Sequence, residues 1–182
     1  MGSLDGVKRP ILLVVEDDPV VAELVKEAVQ VPGTERVILP SASQALSWLQ
    51  ENRPRLMVLD YHVNDMTAET LLKNISLHSI PIPPFIVISG ISDLRAVGAL
   101  IHVGMRDYLV KGPQLVQQLG ASVQRLIQQL ATEDQLALAR VELERSEARW
   151  RSLLETAPDI ICAIDREFIV TAINRLPVGV GV

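Results

Sequence analysis

The stretch Ile11-Leu12-Leu13-Val14-Val15-Glu16-Asp17-Asp18-Pro19 decides how this chain is read. Five apolar residues in a row, most of them branched and with no polar alternation, indicate a strand covered on both faces. The acidic residues stop that strand. Asp18 is a good N-cap, and Pro19 suits the first position of a helix. Val20, Val21, Leu24, Val25 and Ala28 then recur at helical spacing until Pro32-Gly33 ends the pattern.

The same unit recurs downstream. Val37-Ile38-Leu39 reads as a second strand, and Ser41-Ala42-Ser43-Gln44 as a capping box for a helix carrying Ala45, Leu46, Trp48 and Leu49. Leu56-Met57-Val58-Leu59 is a third strand ending at Asp60, followed by a loop from Tyr61 to Met66 and a helix over 67–77. Pro81, Pro83 and Pro84 stiffen the approach to a fourth strand, Phe85-Ile86-Val87-Ile88, which ends at Ser89-Gly90. Ser92 caps a helix through Leu94, Val97, Leu100 and Ile101, closed by Gly104. Tyr108-Leu109-Val110 is the fifth strand, with Lys111 directly after it. A helix from about Gln114 carries Leu119, Val123, Leu126 and Leu130. Buried strands alternating with amphipathic helices predict an α/β fold, a doubly wound five-stranded parallel sheet with the flavodoxin-like strand order.

Composition agrees and excludes other classes. Of 182 residues, 48% are hydrophobic and 21% charged, a globular balance that rules out a disordered chain. Aromatics are only 3%, so the core is built from Leu, Val, Ile and Ala. The net charge of −5 offers no basic face for nucleic acid. The early apolar run is too short to cross a bilayer or serve as a signal-peptide core. A lone Cys162 makes no internal disulfide and no cysteine zinc site, and the simplest compartment is the reducing cytosol. The Met1-Gly2-Ser3-Leu4 start reads as a cloning scar and is set aside.

In a parallel sheet of this type, ligands sit at the carboxyl ends of the strands. Those ends carry Glu16 and Asp17, Asp60, Ser89 and Lys111. Taken singly, each has an ordinary reading as a helix cap, a turn former, loop chemistry or a solvated charge. Together they place three carboxylates, one hydroxyl and one ammonium on one edge. Close carboxylates repel unless a cation joins them, and oxygen-only ligands suit Mg²⁺ where phosphates are involved. A carboxylate beside a metal and a lysine is a nucleophile toward a phosphoryl group. The cations and the hydroxyl would then stabilise the transferred oxygens.

Val14-Val15-Glu16-Asp17-Asp18-Pro19, Val58-Leu59-Asp60, Val87-Ile88-Ser89-Gly90 and Asp107-Tyr108-Leu109-Val110-Lys111 resemble the receiver domain of two-component response regulators, over about residues 9–130. The resemblance implies that Asp60 is the phosphoacceptor, charged by a histidine kinase or a histidine phosphotransfer protein. It implies that Asp17 binds Mg²⁺ directly, Glu16 binds it through water, and the backbone carbonyl of His62 completes the metal site with Asp60. Ser89 and Lys111 would hold the phosphoryl oxygens. Tyr108 would be the switch aromatic that swings inward as Ser89 moves, with the fourth helix, fifth strand and fifth helix as the output face. Three positions depart from the family's pattern: Asn64 and Ala68 stand where Pro and Gly are usual, and Gly112 separates Lys111 from Pro113. They leave open the path of the loop after Asp60 and the turn after Lys111. His78 and His102 have no partners at ligand spacing.

Beyond Leu130 the helical phase breaks, and Thr132-Glu133-Asp134-Gln135 reads as another capping box that starts a new helix. Leu136, Leu143 and Trp150 recur every seven residues, with Ala139, Ser146 and Leu153 three after each. This weak heptad seam predicts a homodimeric coiled coil, against a single helix packed back on its own domain. The segment 148–160 resembles the start of a PAS sensor domain, with 160–165 and 168–174 as its first hairpin. A whole PAS domain needs far more residues than remain, so this is expected to be its truncated start. The expected organisation is a tail over 1–8, a receiver over 9–130, a signalling helix or coiled-coil linker over 131–156 and a truncated α+β PAS start over 157–182. Such an arrangement implies a fragment of a larger cytoplasmic receiver–PAS sensor, with a hybrid histidine kinase as the expected parent, although no kinase core lies in these residues. Competing readings are a phosphorylation-independent dimerisation module and, ranked lower, a Mg-dependent phosphohydrolase with an Asp nucleophile. A dinucleotide-binding domain ranks last, since no Gly-rich turn follows the first strand.

Overall fold

In the structure, a computed structural model, residues 9–90, 94–156 and 161–174 are described. The tail over 1–8, the Ser92 cap and the PAS-like residues 157–160 and 175–182 lie outside them. The chain divides after Leu130 into two units.

The first unit is the expected parallel sheet. Strand β1 (Ile11–Val15) leads into helix α1 (Pro19–Ala28), whose N-cap Asp18 accepts hydrogen bonds from the Val20 and Val21 amides at 2.8 and 3.3 Å. Strand β2 (Glu35–Leu39) is followed by α2 (Ala42–Glu51), where Ser41 Oγ accepts from Gln44 N as its capping box requires. Strand β3 (Leu56–Asp60) is buried throughout. The next residues form a small antiparallel pair, β4 (His62–Val63) with β5 (Met66–Thr67), in place of the expected plain loop. Thr67 then caps α3 (Ala68–Leu77). Strand β6 (Phe85–Ser89), helix α4 (Leu94–Ile101), strand β7 (Met105–Val110) and the part of helix α5 (Leu115–Thr156) up to Leu130 complete the unit.

The large sheet runs in the order β2-β1-β3-β6-β7, all parallel. Continuous apolar runs are needed because successive side chains face opposite covered layers. Leu13, Val15, Met57, Leu59, Phe85 and Val87 pack with α2 and α3. Leu12, Val14, Leu56, Val58, Ile86 and Ile88 pack with Val25 of α1 and with Leu115, Leu119, Val123 and Leu126 of α5. Strands β2 and β7 begin earlier than their apolar cores suggest, at Glu35 and Met105. Backbone pairing to Ile11 and Phe85 extends them irrespective of side chain.

One expectation is corrected. Thr132 starts no new helix, because α5 runs unbroken from Leu115 to Thr156. No Gly or Pro interrupts residues 131–135, and Thr, Glu, Asp and Gln all tolerate a helix interior. The phase change marks the end of burial at Leu130, after which this helix is exposed. No described helix is long and apolar enough to cross a membrane.

Helix α5 meets α1 closely at Gly120, where an added Cβ would stand 2.9 Å from the carbonyl oxygen of Ala28. Replacing a helical Gly by Ala ordinarily gains about 1 kcal/mol. Here backbone presses on backbone, and overpacking costs about 1–3 kcal/mol. Gly120→Ala is therefore expected to lower stability by about 1 kcal/mol, read as a lower urea midpoint. A raised midpoint would show that the two helices part without cost.

In the second unit, β8 (Cys162–Ile164) pairs antiparallel with β9 (Val170–Ile173), as the apolar runs suggest. Asp165 Oδ1 accepts from the Glu167 and Ile169 amides, both at 2.9 Å, and holds the turn. The hairpin side chains are exposed, including Ile164, Phe168 and Val170.

Candidate functional site

The carboxyl edge of the sheet collects the charged residues. β1 delivers Glu16 and Asp17, β3 ends in Asp60, β6 ends in Ser89, and Lys111 follows β7. Backbone bonds hold these ends in register. Tyr61 N donates to Ile88 O at 2.8 Å, Lys111 N to Ser89 O at 2.8 Å and Glu16 N to Leu39 O at 3.2 Å. The crevice lies where β1 and β3 send their connections to opposite sides, the usual ligand position in such sheets.

Glu16, Asp60 and Ser89 are buried, at 3%, 5% and 2% exposure, and Asp17 is half-buried. Buried carboxylates persist only when paired. Lys111 supplies the partner. Its Nζ donates to Asp60 Oδ2 at 2.7 Å and to Glu16 Oε1 at 3.3 Å, and stands 3.0 Å from Glu16 Oε2. Asp18 N adds a bond to Glu16 Oε1 at 3.2 Å, and His62 N reaches Asp60 Oδ1 at 3.4 Å. Glu16 Oε2 takes no hydrogen bond from any described residue, despite the nearby ammonium. Burial, followed by the Asp60 charge, pushes the Glu16 carboxyl above its ordinary range against the pull of Lys111. Burial alone would lower Lys111, but its bonds to Asp60 and Glu16 outweigh that and hold it above the usual lysine range.

One oxygen from each of Glu16, Asp17 and Asp60 lies within 4.8 Å of the others. Mg²⁺ takes oxygen ligands at about 2.0–2.1 Å, so a modest closing of this cluster would seat it. A buried carboxylate oxygen without a hydrogen bond, in a cluster of three carboxylates of which two share one lysine, fits such a hard cation. Glu16, Asp17, Asp60 and Lys111 are thus brought together, and Ser89 lies buried at the end of the neighbouring β6. His62 sits beside them in β4 with its ring exposed and edge-on to Tyr61 at 4.8 Å between centroids. Tyr108 lies half-buried on β7, in register with Val87 and packed on the α2/α3 side of the sheet. Among the described residues every peptide bond is trans, including the Lys111–Gly112 turn.

Two supporting groups are missed by sequence reasoning. Asp65, in the β4–β5 turn, caps α2 from outside. Oδ1 accepts from Ala42 N at 3.0 Å, and Oδ2 accepts from Ser43 N at 2.8 Å and Ser43 Oγ at 2.6 Å. This anchors the segment after Asp60 without the usual Pro and Gly. The second group is Asp107, next to Tyr108. Its Oδ2 accepts from Ser122 Oγ and from Arg125 Nη2 of α5, and its Oδ1 accepts from Tyr108 N at 2.9 Å. The polar network ties β7 to α5.

Desolvation works to raise the Asp65 carboxyl, but the Ser43 and Ala42 bonds outweigh it and hold it below the ordinary aspartate range. Its stabilisation is therefore present above the ordinary pKa and lost as pH falls through the lowered one. Asp65→Ala is expected to cost about 1 kcal/mol at neutral pH, the usual worth of a helix cap. The gap from the parent should close in strong acid. Urea titrations across that range check this, and a gap independent of pH would assign the loss to packing instead.

Residues 12–124 match the response regulator receiver domain family, and the chain belongs to it. It is 27% identical over 138 residues to the DNA-binding response regulator MtrA of Mycolicibacterium smegmatis, covering 75% of this chain and 59% of that protein. It is 30% identical over 125 residues to the transcriptional regulatory protein PrrA of Mycobacterium tuberculosis, covering 67% of this chain and 52% of the relative. The chain thus spans little more than half the length of these relatives. Among solved structures, the signal receiver domain of a Luxo repressor protein from Vibrio parahaemolyticus superposes with a TM-score of 0.63 at 27% identity, covering 71% of this chain and 98% of that one. A CheY-like receiver domain from Methanospirillum hungatei shares the fold at 22% identity, with a TM-score of 0.60 over 69% of this chain and 99% of its own. The first unit is therefore a receiver domain of two-component systems.

Proposed function

We propose that Asp60 is the phosphoacceptor of this receiver. What carries the reading is the buried Asp60 carboxylate, held 2.7 Å from the Lys111 ammonium beside Glu16. A carboxylate oxygen of Asp60 attacks the phosphorus of a phosphohistidine on a histidine kinase or a histidine phosphotransfer protein. The P–N bond breaks, its electron pair returns to the imidazole nitrogen, and an aspartyl phosphate forms. Asp17, Asp60 and the backbone carbonyl of His62 would hold Mg²⁺ directly and Glu16 through water, and the bound ion would supply charge neutralisation for the phosphoryl oxygens. Lys111 shares that task, and the Ser89 hydroxyl donates to one of those oxygens.

Tyr108 serves as the switch aromatic. The Asp107 network carries its displacement into α5, which runs on as the signalling helix. That helix pairs two copies of the chain, and residues 157–182 begin a PAS domain. The whole is then part of a cytoplasmic receiver–PAS sensor, with a hybrid histidine kinase as the fitting parent. The test is intact mass after incubation with acetyl phosphate, with and without Mg²⁺. A single phosphoryl adduct that needs the metal is expected. No adduct, together with no Mg²⁺ binding by calorimetry, would replace this reading with a phosphorylation-independent dimerisation module.

A further inference from the structure

Past Leu130, α5 carries an apolar seam that no described residue of its own unit covers. Leu136, Leu143 and Trp150 are 71%, 59% and 63% exposed, and Leu153 is 54% exposed. Ala139, Ser146 and Leu153 occupy the fourth position of each heptad that those three begin. Arg140, Glu147 and Leu154 flank the seam at the fifth positions, and Gln135, Glu142 and Arg149 at the seventh. These flanking residues set the orientation of a helix pair. Leu138 and Val141 are also exposed, but they point away from the seam.

In a parallel pair, a seventh position faces the next fifth position of the other helix. Glu142 would then oppose Glu147 of the second copy, twice by symmetry. Gln135 would meet Arg140, and Arg149 would meet Leu154, so no opposite charges pair. Equal positions would also stack on themselves, with Trp150 on Trp150 and Ala139 on Ala139. That overfills one layer and leaves another empty.

In an antiparallel pair, fifth positions face fifth and seventh face seventh. Arg140 then meets Glu147 of the second copy and Glu142 meets its Arg149, each twice, which gives four opposite-charge contacts. The layers fill by complement: Trp150 against Ala139, Leu143 against Ser146, and Leu136 against Leu153. On this stretch Arg140 pairs with Glu144 of its own helix at 3.4 Å, an exposed contact that leaves the guanidinium able to turn. We propose that two copies of this chain pair antiparallel through the seam from Leu136 to Leu153. The proposal rests on the dimer reading above and adds its orientation.

Two experiments on the full chain test it, both with Cys162→Ala to remove the native thiol. Leu136→Cys and Leu153→Cys proteins are oxidised separately and mixed. Cross-linking is expected in the mixture and not in Leu136→Cys alone, whose two thiols would lie about 25 Å apart at 1.5 Å per residue. Self-cross-linking of Leu136→Cys without the mixed product would overturn the antiparallel order while leaving the dimer standing. No cross-link in any sample, with a monomer mass by light scattering, would remove the dimer as well. The second experiment is Glu147→Lys. It should weaken the dimer several-fold by sedimentation if antiparallel, where Arg140 faces it. Tightening would mark the parallel order, where Glu142 faces it.

Discussion

Asp60→Asn is expected to take up no phosphoryl group from acetyl phosphate, at any Mg²⁺ concentration, while folding at least as stably as the parent. The loss is chemical. An amide is not the oxygen nucleophile that forms an acyl phosphate, and the metal cluster falls from three carboxylates to two. Calorimetry should show Mg²⁺ affinity dropping with it. Retained stability follows from the electrostatics. Asp60 and Glu16 share the single Lys111 ammonium, and the Asp60 charge helps to push the Glu16 carboxyl up. Asparagine keeps an oxygen that accepts from Lys111 and removes one buried charge, leaving Glu16 and Lys111 matched one to one. Functional clusters of this kind commonly cost the fold stability. The thermal midpoint in metal-free buffer should therefore hold or rise. An adduct that survives the substitution would place the acceptor on another residue. A collapsed midpoint would show that Asp60 acts mainly as a structural partner of Lys111.

The edge of the sheet is legible in the sequence because each reacting group terminates a run that has only one place to go. Val58-Leu59-Asp60 must be central, since a fully apolar strand is covered on both faces, and so Asp60 must stand at the rim. The same logic sets Glu16 after Val15, Ser89 after Ile88 and Lys111 after Val110. What cannot be read is what depends on distant partners or on too few residues for a period. Asp65 caps a helix that lies 22–23 positions back in the chain, and Asp107 finds Ser122 and Arg125 at 15 and 18 positions ahead. Strands β4 and β5 have two residues each, too short to show alternation. At Thr132 a genuine local signal points the wrong way. A capping box matters only where the chain must leave the helix, and nothing between Leu130 and Leu136 compels it to.

Lys111→Met is expected to be the most damaging single change at the site, because it strips the cation and keeps the length of the side chain. Glu16 and Asp60 would then face one another, both nearly fully buried, with no counter-charge at neutral pH. Removing one partner of a buried ion pair costs about 3–5 kcal/mol. The Lys111 side chain is about a quarter exposed, so the low end, about 3 kcal/mol, is the expected loss. Its dependence on conditions identifies the cause. The folded Glu16 carboxyl already lies above its ordinary pKa, and loss of Lys111 moves it further up, since its bonds to the lysine are what lower it. The native state therefore holds a proton that the unfolded state has released. The deficit should grow as pH climbs from the ordinary glutamate range through the raised pKa and shrink as pH falls. Mg²⁺ should restore part of the loss, because an ion that binds only the folded cluster replaces the missing positive charge. Urea unfolding with and without Mg²⁺, at acidic and neutral pH, reads both effects. A deficit indifferent to pH and to Mg²⁺ would mean that Lys111 supports the fold through its stem, and would take away the electrostatic account of the site. A deficit that both conditions relieve would show that the cluster is organised around a positive charge that lysine only partly supplies.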